Sequence, residues 1–213
     1  MRRGAEPREL TEAYYRALMH ASGYRTEDLD KPLIAVVNSW TEVNPGHQPL
    51  RRLAEIVKEG IWAGGGTPGE FNVPAPCDGI AQGEGMQYVL PQSDLIAASI
   101  EAMVMAHGFD GMVMLASCDK IIPGMVLAAI RCDCPAVFLT GGVMMPWHRE
   151  GRSLVTSDMK EAIGSRGAGL MCEETFGLWQ HNICASPGTC SMMGTANTMA
   201  SFLEVIGVAP PGS

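Results

Sequence analysis

The stretch Gly111-Met112-Val113-Met114-Leu115-Ala116 carries no polar side chain and gives way at once to Ser117-Cys118-Asp119-Lys120, then to Ile121-Ile122-Pro123-Gly124. An apolar run of this length reads as a strand covered on both faces, because a half-exposed strand alternates. The polar turn behind it puts a thiol, a carboxylate and an amine in consecutive positions. A short helix is expected from 123 to 131, with Pro123 near its start.

Similar runs flank this one. Residues 33–37 and 136–140 read as buried strands, and 70–73 as a short one. Helical spacing marks 8–22, with Leu10, Tyr14, Ala17 and Leu18 on one face, and 49–63, with Leu50, Leu53, Ile56, Val57 and Ile61. Gly64-Gly65-Gly66 ends the second of these. The segment 91–107 is helical, with Leu95, Ile96, Ile100, Met103 and Val104 inside. Helices are also expected at 157–165, 173–181 and 189–206, the last stopped by Gly207. Residues 149–153 read as a polar loop. Strands and helices alternate, so the expected fold is α/β with a mainly parallel sheet flanked by helices.

Composition sets the limits. A chain of 213 residues suggests one domain or two small ones, and 46% apolar against 18% charged residues is enough to build a core. Disorder is excluded. With 15 Lys+Arg against 23 Asp+Glu the net charge is −8, so nucleic acid is an unfavourable partner. A bound anion needs backbone amides, a few placed cations or a metal. No apolar h-region follows the Arg2-Arg3 doublet, and no run of about 18 uncharged apolar residues exists, so neither a signal peptide nor a membrane span is expected. The seven cysteines contain no C-x-x-C pair. A reducing, cytoplasmic setting with free or metal-bound thiols follows.

In open parallel sheets ligands gather beyond the carboxyl ends of the strands. Here those segments are rich in reactive groups: 38–47 after the first strand, Pro76-Cys77-Asp78-Gly79-Ile80-Ala81 after the second and Ser117-Cys118-Asp119-Lys120 after the third, while Gly141-Gly142 follows the fourth. Two Cys-Asp pairs at equivalent topological positions pair a soft ligand for iron or zinc with a hard ligand for Mg²⁺. Plainer readings stand beside this one. Asp78-Gly79 suits a turn, Lys120 alone is an ordinary surface lysine, and Cys132, Cys134, Cys172 and Cys184 suit packing. Cys132-x-Cys134 and Cys184-x₅-Cys190 match structural zinc spacing poorly. Cys118 at a helix start is a candidate nucleophile with lowered pKa, with His47 a conceivable partner. No strand is followed by a phosphate-binding glycine motif.

Residues 31–206 resemble the N-terminal part of the dihydroxy-acid dehydratase and phosphogluconate dehydratase family. The resemblance is carried by Asn38-Ser39 with Pro45-Gly46-His47, Cys77-Asp78-Gly79-Ile80-Ala81, Cys118 to Met125, Gly141-Gly142, and Pro187-Gly188-Thr189-Cys190-Ser191 running into Thr195-Ala196-Asn197-Thr198-Met199. A helical segment is expected over 1–30 from its spacing, and the resemblance implies, over 31–213, an incomplete N-terminal domain of a larger two-domain enzyme. It implies an iron–sulfur cluster on Cys118 and Cys190. Some family members use a cysteine at the position of Gly46 as third ligand; here Cys77 is taken to supply that thiolate. The Pro-Gly-His variant favours [4Fe–4S] over [2Fe–2S]. Asp78 and Asp119 would ligate Mg²⁺, joined by Lys120 as a carbamate. The implied reaction converts a 2,3-dihydroxy carboxylic acid into a 2-keto acid in branched-chain amino-acid synthesis. A sugar-acid or phosphogluconate substrate is the alternative, and an inactive fragment or cluster-binding subunit is another. The family's base is a serine from the C-terminal domain, to which no position here corresponds, and its members are homodimers. Three departures are visible: a shortened 83–86 loop, Gln92-Ser93-Asp94 for Ser-Arg-acid, and Met192 and Gly194 where a glycine and an aromatic are usual. The last is expected to crowd the ground beside Cys190 at one position and leave a gap at the other.

Overall fold

The computed structural model describes residues 8–213, so the Arg2-Arg3 doublet lies outside it. The elements follow in the order α1 (Arg8–Ala21), α2 (Thr26–Leu29), β1 (Leu33–Asn38), α3 (Leu50–Ala63), β2 (Thr67–Asn72), α4 (Met86–Val89), α5 (Gln92–His107), β3 (Gly111–Ala116), α6 (Ile121–Cys132) and β4 (Ala136–Thr140). A small hairpin of β5 (Trp147–Arg149) and β6 (Arg152–Leu154) comes next, then α7 (Asp158–Gly167), α8 (Glu173–Asn182) and α9 (Thr195–Val205).

The α/β expectation holds. Four parallel strands lie in the order β2-β1-β3-β4, with Asn38 opposite both Asn72 and Leu115, and Ala116 opposite Thr140. Ala35, Val36, Val37, Met114, Leu115 and Ala116 are wholly buried, as their unbroken apolar runs require. On one face Val36 and Leu115 pack under Leu50 and Ala54 of α3. On the other, Ala35, Val37 and Met114 meet Ile96, Ile100 and Val104 of α5 and Ile121, Ile122 and Met125 of α6. Gly124 allows α5 and α6 to close, since a Cβ there would lie 2.8 Å from the Ser93 carbonyl oxygen.

The strand order fixes where a ligand can bind. The chain passes from β1 outward to β2, then crosses back to β3 on the other side of β1. Loops leaving β1 and β3 therefore part at a topological switch point, which opens a crevice at their carboxyl ends.

Several elements differ from expectation. α6 begins at Ile121 rather than Pro123, because a proline in a helix's first turn sacrifices no intrahelical bond. β2 begins at Thr67 rather than Glu70; Pro68 is tolerated because β2 is an edge strand. The 149–153 loop is a hairpin turning at Glu150 and Gly151, both at positive φ. α9 begins at Thr195, not 189, because Thr189 bridges to Val143. The face of α1 carrying Leu10, Tyr14 and Leu18 is exposed rather than packed. Met86–His107 is long and apolar enough by composition to cross a membrane, yet its Ile96, Ala97, Ile100 and Val104 belong to the core.

Candidate functional site

The loops at the crevice are drawn together by buried polar groups and by glycines that a side chain would push apart. Asn44 is the hub. Its amide donates to the carbonyls of Ala75 (3.2 Å) and Pro76 (3.4 Å), its Oδ1 accepts from the Gly46 amide (3.0 Å), and its side chain lies 3.8 Å from Cys118 Sγ. One buried side chain thus joins the loops after β1, β2 and β3. A Cβ on Gly46 would sit 3.0 Å from Cys118 Sγ. A Cβ on Gly141 would lie 2.8 Å from both the Gly46 carbonyl oxygen and Ser117 Oγ. Gly188, at φ +136, rests against the backbone of Val143 and Met144, which brings the Cys190 loop in beside β4's exit.

Cys118 itself has φ +66, a left-handed conformation rare for a residue with a side chain. Such strain costs on the order of 1–3 kcal/mol and persists where surrounding contacts impose it. Here it turns the thiol towards Asn44 and Gly46. Burial, then the neighbouring Cys77 and Cys190, push the Cys118 thiol up to about 12. The lowering expected for a nucleophile at a helix start does not occur: burial dominates over the opposing Asn44 hydrogen bond, and α6 begins only at Ile121, beyond Cys118. Cys190 is also raised, by burial and then by Cys77 and Cys184. The structure therefore brings Cys77, Cys118 and Cys190 into one electrostatic neighbourhood. Cys184, read from sequence as packing, joins it at the exposed rim.

Beside the thiols lies the charged half. Lys120 Nζ is 3.1 Å from Asp119 Oδ2 and 3.5 Å from Asp78 Oδ2. Asp78 is held above the usual carboxylate range by burial and by Asp119, with Lys120 opposing. Burial lowers Lys120, but its hydrogen bond to Asp119 and the charges of Asp119 and Asp78 carry it above its ordinary value. Two carboxylates thus face one ammonium, and Asp78 Oδ1 is buried with no hydrogen-bond partner. Among the described residues no three His, Cys, Asp or Glu side chains close on one metal position as they stand. The donor set nevertheless fits the implied groups in kind: soft thiols together, hard oxygens together, and one buried carboxylate oxygen still lacking a positive partner.

His47 is not a nucleophile's partner. It is fully buried, and its Nδ1 faces the Ser39 carbonyl (2.8 Å) and hydroxyl (2.9 Å). A carbonyl only accepts, so Nδ1 carries the proton. Burial lowers its pKa to about 4. Its neutral ring braces the β1 loop. Ser117 Oγ accepts from the Gly141 amide (3.0 Å), and Ser191 Oγ pairs with Thr156 Oγ1 (3.0 Å), so both serines near the thiols are structural. Sequence reasoning passed over Asn44, whose only signal was a buried-type turn residue before Pro-Gly-His.

Two family departures acquire a physical account. The Met192 side chain reaches within 3.1 Å of where a Cβ on Gly194 would sit, so the methionine fills what the missing aromatic leaves. Ser93, where an arginine is usual, donates its hydroxyl to the Lys120 carbonyl (2.8 Å) and ties α5 to the site.

The sequence profile described as dihydroxy-acid/6-phosphogluconate dehydratase N-terminal matches residues 31–213. The chain is 48% identical over 212 residues to the dihydroxy-acid dehydratase of Pyrococcus abyssi (strain GE5 / Orsay), covering 99% of this chain and 38% of that protein. It is 46% identical over 197 residues to the dihydroxy-acid dehydratase of Methanococcus vannielii, 92% of this chain and 36% of the relative. To that of Caldicellulosiruptor saccharolyticus it is 47% identical over 214 residues, 100% of this chain and 39% of the relative. The chain thus spans less than two fifths of the length of these relatives.

Proposed function

Because this chain belongs to the dihydroxy-acid/6-phosphogluconate dehydratase family, we propose that it forms the thiol- and carboxylate-bearing part of a hydro-lyase that removes water from a 2,3-dihydroxy carboxylic acid to give a 2-keto acid. The observation that carries this reading is the meeting of the Cys77, Cys118 and Cys190 thiols with the Asp78–Lys120–Asp119 cluster at the carboxyl end of the sheet. In this reading the three cysteines hold an iron–sulfur cluster, [4Fe–4S] in preference to [2Fe–2S]. Asp78, Asp119 and carbamylated Lys120 hold Mg²⁺. When bound, the two would supply Lewis-acid assistance at the leaving hydroxyl and neutralise the substrate's carboxylate.

The chain's own residues do the positioning. Asn44 and Gly46 keep the Cys118 thiol aimed into the crevice while leaving room beside it. A carbamate on Lys120 would exchange a cation for an anion between two carboxylates. That change draws in a divalent ion and would leave the cluster self-repelling without one. Ser117 and Ser191 are committed to loop contacts, so the proton-abstracting base comes from elsewhere. The relatives' name, dihydroxy-acid dehydratase, favours a dihydroxy acid over a sugar acid; in this reading the enzyme serves branched-chain amino-acid synthesis, in the cytoplasm and as a homodimer.

The test is iron and sulfide content after anaerobic reconstitution. Cys77→Ser and Cys118→Ser should each lose the cluster's visible absorption, whereas Cys184→Ser should keep it. Unchanged iron and sulfide in Cys77→Ser would overturn the ligand assignment.

A further inference from the structure

Taking Cys118 as an iron ligand, as proposed above, we infer that Asn44 is its positioning residue and acts on it electronically: the Asn44 side-chain N–H donates to the iron-bound Cys118 sulfur, draws off part of its negative charge and raises the reduction potential of the cluster.

Asn44 is almost wholly buried, and backbone groups fix the way its amide faces. The Ala75 and Pro76 carbonyls can only accept, and the Gly46 N–H can only donate. Nδ2 therefore lies towards the first two, at 3.2 and 3.4 Å, and Oδ1 towards the third, at 3.0 Å. This orientation is imposed by the loops after β1 and β2, not by the sulfur. Nδ2 carries two N–H groups, enough for the adjacent carbonyls to share one and for the sulfur to take the other.

Cys118 Sγ lies 3.8 Å from both Nδ2 and Oδ1. A thiol can donate its S–H to the oxygen. A thiolate on iron has no proton left, and the same amide offers it an N–H at the same distance. One side chain thus serves the sulfur before and after iron binds, without turning over. Two further features hold the pair together. The left-handed backbone at Cys118 aims the sulfur at the amide. Gly46 places no side chain between them, since a Cβ there would lie 3.0 Å from Sγ. In such a buried setting a hydrogen bond to an ionised sulfur is stronger than in water. Iron–sulfur potentials respond to hydrogen bonds on the ligand sulfurs. Reduction adds negative charge, so a donor favours the reduced form.

The 213-residue chain, reconstituted anaerobically with iron and sulfide, is the sample. With its asparagine side chains labelled in heavy nitrogen and the cluster reduced to its paramagnetic state, it should show a nitrogen hyperfine coupling that Asn44→Leu lacks. Asn44→Leu should lower the reduction potential by removing the donor, and Asn44→Asp should lower it further by adding a negative charge. Both variants should release iron to a chelator about tenfold faster. Slackened loops would do that too, so the potential and the coupling decide. An unshifted potential in both variants, or no coupling in the parent, would overturn the role of Asn44. If neither variant holds a cluster, the coupling in the parent decides alone. Cys118→Ser separates this role from the reading beneath it. Full iron and sulfide in Cys118→Ser, or none in the parent, would remove the ligand and the role together. Loss in Cys118→Ser with unshifted potentials in the Asn44 variants would overturn the role alone.

Discussion

Acidification should destabilise this protein through His47, by an amount the structure allows to be worked out. The imidazole is fully buried, with Nδ1 donating to Ser39 and Nε2 without a partner. Its pKa falls from 6.5 to about 4 on folding. The unfolded chain therefore takes up a proton below about pH 6.5, while the folded chain refuses it until about pH 4. Stability is complete above the unfolded value and is lost as pH falls towards the folded one. Linkage over this shift gives a loss of about 2 kcal/mol between about pH 7 and about pH 5. The assay is urea unfolding at both pH values, for the parent and for His47→Asn. The asparagine amide retains a donor for Ser39 but does not titrate. It should cost stability at both pH values, through lost packing, and shrink the difference between them by about 2 kcal/mol. Every other ionisable group is common to the two proteins, so the comparison isolates the His47 ring. An equal pH dependence in His47→Asn would refute the claim that the ring is held neutral by burial.

The remaining predictions concern close approaches. Gly46→Ala should lower the iron and sulfide retained after reconstitution, because the new Cβ would lie 3.0 Å from Cys118 Sγ and force the loops after β1 and β3 apart; unchanged iron and sulfide would show that the approach is not this close. Gly124→Ala should lower stability to urea by about 1–2 kcal/mol, since overpacking against the Ser93 carbonyl outweighs the gain in helix propensity. A stabilised Gly124→Ala would mean that α5 and α6 do not pack this closely.

Much of the fold is legible because one-dimensional patterns encode burial. The run from Gly111 to Ala116 has no polar face to show to water, so only a strand covered on both sides accommodates it. Helices α3 and α5 announce themselves by spacing and by their terminal glycines and prolines. Pattern fails where tertiary contacts take over. Thr67-Pro68-Gly69 has the composition of a turn, and β1 makes it a strand by offering a ladder to pair with. The helical spacing of 189–206 runs through residues whose backbone is already spent on Val143 and Gly142. Glu150-Gly151 lacks the usual hairpin signal, because glutamate seldom adopts positive φ.

The site divides in the same way. The sequence by itself determined which groups are available: the two Cys-Asp pairs, Lys120, Cys190 and the glycines between them, each placed after a strand by the α/β alternation. The tertiary structure decided which of them meet. The return from β2 to β3 across β1 creates the crevice. Asn44 gathers three loops by hydrogen bonds over about thirty to seventy residues of separation. Cys118 is held in a left-handed conformation, Cys184 is brought beside Cys190, and Met192 fills the space over Gly194. Local propensity reports the cost of each residue's own conformation. Contacts between loops distant in the chain arise only once the sheet has fixed the distances between them, and that information lies in the packing of the whole.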